Sequence, residues 1–262
     1  MIRSLYSAAT GMKAQQLGVD TISNNIANVN TVGYKKQRAE FSDLFYQTMK
    51  YAGTNTSATT ISPTGIEVGL GVRPTSIQRM FSEGSPKETG NELDIAITGR
   101  GFFQVQLPDG NIGYTRNGSF KLDGTGQVTT SDGFALIPNI VIPQDATFVQ
   151  IGTDGTVSAI LAGQRESTQL GQIELANFIN PAGLHALGDN NFIDTSASGP
   201  AIVGTPGVDG FGQTKQKFLE MANTQLVVEM TDLISTQRAY EANSKSITTS
   251  DEMLQTVNGL KR

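Results

Sequence analysis

The sequence predicts an α+β protein with N- and C-terminal helices that form a coiled-coil-like module and a central antiparallel β-rich domain. Apolar residues recur every seven positions in both terminal segments, turn sequences recur through the middle, and an almost uncharged stretch follows the first helix. We therefore expect three parts. They are residues 1–33 with 216–262 as a terminal helical domain, 34–71 as an extended connecting arm, and 72–215 as the β-rich domain.

The first helix is expected from about Ile2 to Val29. Its apolar repeat consists of Leu5, Met12, Val19 and Ile26, with Ala8, Ile22 and Val29 three residues after members of that series. Two apolar positions in seven are typical of a coiled-coil seam. Asn24, Asn25 and Asn28 favour the end of the helix, and their amides could instead bond neighbouring backbones.

The last helix is expected from about Phe218 to Asn258, on a repeat formed by Leu219, Leu226, Leu233, Tyr240, Ile247 and Leu254. The two apolar seams can cover each other, but a pair of helices leaves much apolar area in water. Further copies of the chain would cover that area. The residues thus favour self-assembly, with an intramolecular stalk or a helical layer on the sheet as the alternative.

The middle of the chain carries frequent turn signals, such as Pro108–Asp109–Gly110, Asp132–Gly133 and Asp154–Gly155. Short strand-like runs between such turns indicate an antiparallel sandwich or barrel. Gly69–Leu70–Gly71 and Gly99–Arg100–Gly101 precede no predicted helix. We therefore interpret them as sharp turns or bulges and not as phosphate-binding loops.

Two segments outside the helices remain open to interpretation. Tyr51–Thr64 reads YAGTNTSATTISPT, which indicates either a flexible loop or an arm ordered only against a neighbour. The basic residues Lys35, Lys36 and Arg38 are interpreted as a solvated exit from the first helix.

Composition argues against several function classes. The net charge of -5 disfavours nucleic-acid binding, which needs a basic face. With no cysteine and only His185, the chain cannot build a zinc site of His and Cys ligands. We expect no catalytic, cofactor or metal site and no small-molecule substrate. An enzyme built on the acidic residues Glu88, Glu92 and Asp94, such as a peptidoglycan hydrolase, is the competing hypothesis, and a β-domain binding module on a stalk is another.

Four motifs resemble those of bacterial flagellar rod and hook proteins. They are Ser23–Thr31 with Gly33–Lys35, Gly69–Pro74, Gly101–Val105, and Gln237–Asn243 with Ser250–Leu254. They occur in family order and span nearly the whole chain. The resemblance implies a structural subunit of the basal body, and the length together with the stretch before Gly69 points to the distal rod. A proximal rod or hook subunit of the same family is the alternative.

The resemblance also implies where the protein works and with what. Subunits are exported through the flagellar type III apparatus, without a cleaved signal peptide, into a rod that spans the periplasm. They polymerise helically into a rigid hollow shaft that transmits torque from motor to hook, with the β domain as the outer layer. Implied partners are further copies, proximal rod proteins, the hook protein, the basal-body ring proteins, the rod cap and the export apparatus.

The same resemblance assigns two sets of residues. The subunit interface of the inner tube comprises Leu5, Met12, Val19, Ile22, Asn24, Asn25, Ile26, Asn28, Leu226, Leu233, Arg238, Tyr240, Ile247 and Leu254. A rod-stiffening segment, which lies against adjacent subunits and blocks their sliding, contains Tyr46, Tyr51, Ile61, Pro63 and Ile66.

Overall fold

The computed structural model describes residues 2–54, 61–163 and 166–260. The chain divides into two compact units, which are described separately below. The helical unit comprises Met1–Ile26, Gln37–Gln78 and Gln225–Arg262, and the β unit comprises Ala27–Lys36 and Arg79–Thr224. The expected α+β class is confirmed. The division itself differs from the expected one, because the arm groups with the helices while residues 27–36 and 216–224 group with the β strands.

Two long helices belong to the terminal segments. Helix α1 covers Ile2–Ala27 and α2 covers Leu226–Gly259. The prediction that α2 begins near Phe218 was wrong, because Phe218–Glu220 is a β-strand that pairs with Pro86–Glu88. Leu219 fits the seven-residue repeat, but its side chain is buried in the β unit. A single apolar residue at the end of a repeat fits a short strand equally well.

The expected extended arm is a long hairpin in which each side consists of two consecutive strands. The outgoing side contains β1 (Gln37–Asp43) and β2 (Tyr46–Lys50), and the returning side contains β3 (Ile66–Gly69) and β4 (Val72–Arg79). β1 pairs with β4, and β2 pairs antiparallel with β3. The Leu44 amide donates to the Gly71 carbonyl over 2.9 Å and connects the two halves of the ladder. Strand pairing therefore orders the arm on both sides of Tyr51–Thr64, a segment that lies between β2 and β3; residues 55–60 lie outside the described residues.

The β unit contains the remaining strands. They are β5 (Pro86–Glu88), β6 (Ile95–Thr98), β7 (Phe102–Gln106), β8 (Ile112–Thr115), β9 (Phe120–Leu122), β10 (Val128–Thr130), β11 (Leu136–Ile137), β12 (Ala146–Ile151), β13 (Thr156–Leu161), β14 (Ser167–Gln172), β15 (Leu175–Asn177), β16 (His185–Gly188), β17 (Asn191–Ile193), β18 (Ile202–Gly204), β19 (Gln213–Gln216) and β20 (Phe218–Glu220), with a 3-10 turn at Pro181–Gly183. The main sheet has the order β16-β17-β8-β7-β15-β18, and β11 also pairs with β7. A second sheet has the order β12-β13-β14. The strand pairs in the described part of the β unit are antiparallel, as the turn signals predicted.

Strand β7 is buried on both of its faces. Phe103 packs into a large aliphatic cluster that includes Ile97, Val157 and Leu175. Its neighbour Phe102 points the other way and belongs to an aromatic cluster with Tyr114, Phe178, Leu184 and Phe192. Successive side chains of a strand alternate between faces, so one Phe-Phe pair can anchor two clusters. Phe102 and Phe103 belong to the Gly101–Val105 motif, which therefore has a packing role.

The loop after α1 is fixed inside the β unit by a buried ion-pair network. The Lys35 ammonium lies 2.6 Å from Glu220 Oε1, and Arg116 Nη1 lies 3.2 Å from Glu220 Oε2. The Gly84 amide donates to Glu220 Oε1 over 2.9 Å, and the Lys35 ammonium donates to the Ser82 carbonyl over 2.7 Å. The interpretation of Lys35 as a solvated residue was wrong: its side chain is only 1% exposed.

Burial also sets the acid–base properties of the two cations. Desolvation lowers the pKa of the Lys35 ammonium, although the Glu220 carboxylate acts against this. Desolvation likewise lowers the pKa of the Arg116 guanidinium, again opposed by Glu220. The two cations therefore depend on Glu220 for compensation of their charge. By contrast, Arg38 pairs with Glu40 in an exposed position, as expected of a solvated exit.

Replacing Glu220 by Gln should therefore destabilise the protein strongly. The substitution keeps the size of the side chain but leaves two buried cations without their counter-charge, which costs about 3–5 kcal/mol of unfolding free energy. Urea unfolding of the full chain, followed by circular dichroism, measures the loss. The matched control is Glu40→Gln, which removes a carboxylate from an exposed pair and should have a much smaller effect. Equal losses for both variants would contradict a structural role for the buried network.

Candidate assembly interface

Helices α1 and α2 pair antiparallel in a regular register. Ser4 Oγ lies 3.4 Å from Ser250 Oγ, and Asn25 Nδ2 donates to Glu229 Oε2 over 3.1 Å. Between these ends, Gly11 faces Asn243 and Gly18 faces Thr236. Each step of seven residues along α1 is matched by seven residues back along α2. We call this contact the small-residue seam, defined by Ser4, Gly11, Gly18 and Asn25 with Glu229, Thr236, Asn243 and Ser250.

Two glycines allow the helices to approach closely at this seam. A Cβ atom at Gly11 would lie 2.9 Å from Asn243 Nδ2, and one at Gly18 would lie 3.2 Å from the Thr236 methyl carbon. Ala14 and Thr21, on the same face of α1, are buried. Small and polar side chains therefore line this seam between the helices.

The amide of Asn25 joins three segments of the helical unit. Its Nδ2 donates to the Gln37 carbonyl over 2.8 Å as well as to Glu229, while its Oδ1 accepts from the Gln37 amide over 2.9 Å. The side chain thus pairs with the first residue of β1 as a neighbouring strand would. Both Asn25 and Glu229 are 1% exposed. The asparagines were expected either to end the helix or to bond neighbouring backbones. Asn25 does the second, within its own chain.

The apolar repeat of α1 lies beside the small-residue seam. Leu5, Met12, Val19 and Ile26 each follow a seam residue by one position, which turns them about 100° around the helix. They are half-buried, as is Ile22. Asn24 is exposed. Asn28 ends the helix, because its carbonyl accepts from the Thr31 amide and its Oδ1 accepts from the Thr31 hydroxyl.

Helix α2 leaves even more apolar surface accessible. Leu233, Ile247 and Leu254 are half-buried, whereas Leu226, Tyr240 and Arg238 are exposed. Its exposed apolar residues also include Val227, Val228, Met230, Ile234, Met253 and Val257. Sequence reasoning gave no role to most of these because it followed a narrow seven-residue seam, whereas the apolar face of α2 is wide near its N-terminal end.

The hairpin exposes the residues assigned to the stiffening segment. Tyr46, Tyr51, Ile61 and Ile66 are all more than half exposed, and Pro63 is exposed as well. Phe45 is 89% exposed and Met49 is 61% exposed, neither of which the sequence reasoning selected. The hairpin thus carries a second set of uncovered apolar side chains. Of these residues, Tyr46 and Met49 lie on β2 and Ile66 lies on β3.

The residues that suggested an enzyme have structural contacts. Asp94 is buried and accepts hydrogen bonds from the Thr89 hydroxyl and the Asn91 amide, and Glu92 accepts one from the Val149 amide. Glu88 and His185 are exposed on strands. No group of three His, Asp or Glu residues within 2–54, 61–163 and 166–260 could hold a metal ion. No helix in the described part of the chain is long and apolar enough to span a membrane.

The register of the small-residue seam can be tested by cysteine cross-linking, because the chain has no native cysteine. Ser4→Cys with Ser250→Cys places two thiols face to face, so mild oxidation of the purified full chain should form an intrachain disulfide. The control is Ser4→Cys with Asn243→Cys, which shifts one partner by seven residues, or about 10 Å along α2. Faster cross-linking of the control pair would show that the register is wrong.

Comparison with known proteins agrees with this architecture. A model described as flagella basal body rod protein matches residues 5–35, a flagellar hook protein FlgE/F/G D1 domain model matches 96–159, and a flagellar basal body rod FlgEFG protein C-terminal model matches 215–260. The chain is 50% identical over 260 residues to the flagellar basal-body rod protein FlgG of Buchnera aphidicola subsp. Acyrthosiphon pisum, covering 99% of this chain and 100% of the relative.

Two further relatives extend the similarity to distant bacteria. Flagellar basal-body rod protein FlgG of Caulobacter vibrioides is 49% identical, over 99% of this chain and 100% of the relative. That of Bacillus subtilis is 43% identical, over 100% of both chains. These matches cover the helices, the hairpin and the β unit alike. The resemblance seen in the sequence motifs is confirmed, and the chain belongs to the flagellar basal-body rod protein family.

Proposed function

We propose that this protein is a structural subunit that polymerises helically into the distal rod, the rigid hollow shaft between the flagellar motor and the hook. The observation that carries the proposal is full-length identity of 43–50% to proteins named flagellar basal-body rod protein FlgG. The hook-basal body complex protein FlhP of Bacillus subtilis is only 30% identical. This difference favours the distal rod over a proximal rod or hook subunit.

The surface of the helical unit supports a role in polymerisation. Small and polar residues make the intrachain seam, so the apolar repeat beside it remains available for other copies. Burying apolar surface is the main favourable contribution to most protein association. When each copy contacts the next through two different surfaces and the rotation does not close, the product is a helical filament. The proposed inner tube uses the fourteen interface residues assigned by the resemblance.

The proposed setting follows from the same family. The chain would be exported by the flagellar type III apparatus without a cleaved signal and would assemble across the periplasm under the rod cap. It would contact proximal rod proteins below, the hook protein above and the basal-body rings around it. In this role it performs no catalysis and binds no cofactor, small-molecule substrate or nucleic acid; it transmits torque by mechanical contact.

The hairpin is proposed to stiffen the rod. Its exposed apolar residues Tyr46, Tyr51, Ile61 and Ile66 would lie against adjacent subunits and oppose the sliding that lets a hook bend. A paired hairpin suits this role better than a flexible loop, because its backbone is already ordered and less conformational entropy is lost on contact.

An acidic residue in the apolar repeat should prevent rod formation. Met12→Asp in α1 or Leu233→Asp in α2 would place a carboxylate in a contact that becomes buried between subunits, where an unpaired charge is costly. The assay is complementation of a strain lacking the rod gene, with swimming scored on soft agar and basal bodies counted by electron microscopy. As a control, Asn111→Asp introduces the same charge in the exposed turn between β7 and β8. Wild-type rods from both helix variants would refute the proposed interface.

Shortening the hairpin should leave a rod that forms but bends. Replacing residues 51–65 by Asn-Gly joins Lys50 to Ile66, which are already partners in the β2–β3 ladder, through a two-residue turn. The variant loses Tyr51, Ile61 and Pro63 but keeps the helices and the β unit. Cryo-electron microscopy of isolated basal bodies would report the distribution of rod curvature. A rod as straight as the wild type would contradict the stiffening role.

A further inference from the structure

The hairpin is attached to α1 at two separate places. At one, Asn25 pairs with both backbone groups of Gln37, at the start of β1. At the other, the Val72 amide lies 3.4 Å from the Thr10 hydroxyl oxygen, at the start of β4. The two anchor points on α1 are fifteen residues apart, or roughly 22 Å along the helix at 1.5 Å per residue. The hairpin therefore runs back along α1 and is not joined to it at a single point.

The lengths of the two elements agree. Between the anchors, the hairpin advances from Gln37 to Leu44, whose amide bonds to Gly71. Seven residues of antiparallel strand span roughly 24 Å. Further on, Arg3 Nη1 lies 3.5 Å from the Met49 sulfur, so the hairpin reaches the first turn of α1. The order of contacts along α1 matches the order along the hairpin at three positions.

Gly71 makes the second attachment possible. Its φ of +108° is a conformation that side chains disfavour. A Cβ atom there would also overlap with the Thr10 hydroxyl and approach the Ser7 Cα to 3.3 Å. Thr10 is itself held, because its hydroxyl donates to the Ser7 carbonyl over 2.9 Å. Gly71 therefore permits contact between the bend of the hairpin and the surface of α1.

We propose that Thr10, Gly71 and Asn25 are positioning residues that hold the hairpin in a fixed direction along α1, so that the hairpin moves with the helix as one rigid piece. A single attachment would act as a pivot, whereas two attachments roughly 22 Å apart fix a direction. The exposed residues of the hairpin then meet a neighbouring subunit at a defined place. The mechanical consequence rests on the proposed function, since it assumes that the hairpin stiffens the rod.

The test uses two variants that release the second attachment. Gly71→Ala forces the hairpin away from Thr10, and Thr10→Val keeps the shape of the side chain while removing its hydrogen bonds. The control is Gly90→Ala in the β unit, which has a positive φ of +76° but no atom within 4 Å of the added Cβ. All three variants are expressed as full chains in a strain lacking the rod gene, and basal bodies are isolated.

The first readout is hydrogen exchange of the β1 and β4 amides in the isolated basal bodies. We expect exchange to become roughly tenfold faster or more in Gly71→Ala and Thr10→Val, because the hairpin opens locally. The Gly90→Ala control should keep the wild-type rate. Unchanged exchange in both release variants would overturn the positioning role, whatever the hairpin does in the rod.

The second readout is rod curvature by cryo-electron microscopy, compared with the shortened hairpin. If the shortened hairpin gives bent rods, the release variants should give them as well; straight rods from the release variants would then overturn the inference while the stiffening role stands. If the shortened hairpin gives straight rods, the stiffening role fails by itself. Faster exchange would still support the attachment and unchanged exchange would refute it.

Discussion

The close antiparallel contact of α1 and α2 determines how the rest of the helical unit is arranged. Gly11 and Gly18 lie in this contact, where larger side chains would meet the side chains of Asn243 and Thr236. Small and polar residues line the contact, and the apolar repeat of α1 lies about 100° around the helix from it. A chain that used its apolar residues to pair its own helices would have little left with which to bind its neighbours. In the proposed rod, the two tasks would be separated around the circumference of each helix.

At the end of α1, one residue connects the helix pair with the hairpin. Asn25 is the last residue of the small-residue seam and also the partner of Gln37. One amide thus sets both the pairing of the helices and the start of the hairpin. The next turn leads into Gly33 and Lys35, which are fixed within the β unit by Glu220. The motif shared with rod and hook proteins, from Ser23 to Lys35, therefore consists largely of residues that connect one structural element with the next.

The sequence predicted the element types well and their contacts less well. Helix α1, the antiparallel β domain and the turns at Gly110 and Gly155 were found where expected, and α2 begins later than predicted, at Leu226. The small-residue seam was not predicted, since apolar periodicity marks the residues that avoid water and cannot tell intramolecular from intermolecular burial. Lys35 was misjudged because a charged residue is usually solvated and its partner lies far along the chain. The hairpin was missed because its pairing is long-range and its apolar residues are sparse.

In the proposed rod, one set of residues pairs the helices within a subunit and another set joins subunits. A cryo-electron microscopy map of the assembled rod at side-chain resolution tests it directly. We expect Ser4 opposite Ser250 and Asn25 opposite Glu229 within the same chain, with Leu5, Met12 and Val19 packed against α2 or α1 of adjacent chains. A map in which those apolar residues face the channel or solvent, while subunits join through the small-residue seam, would contradict it.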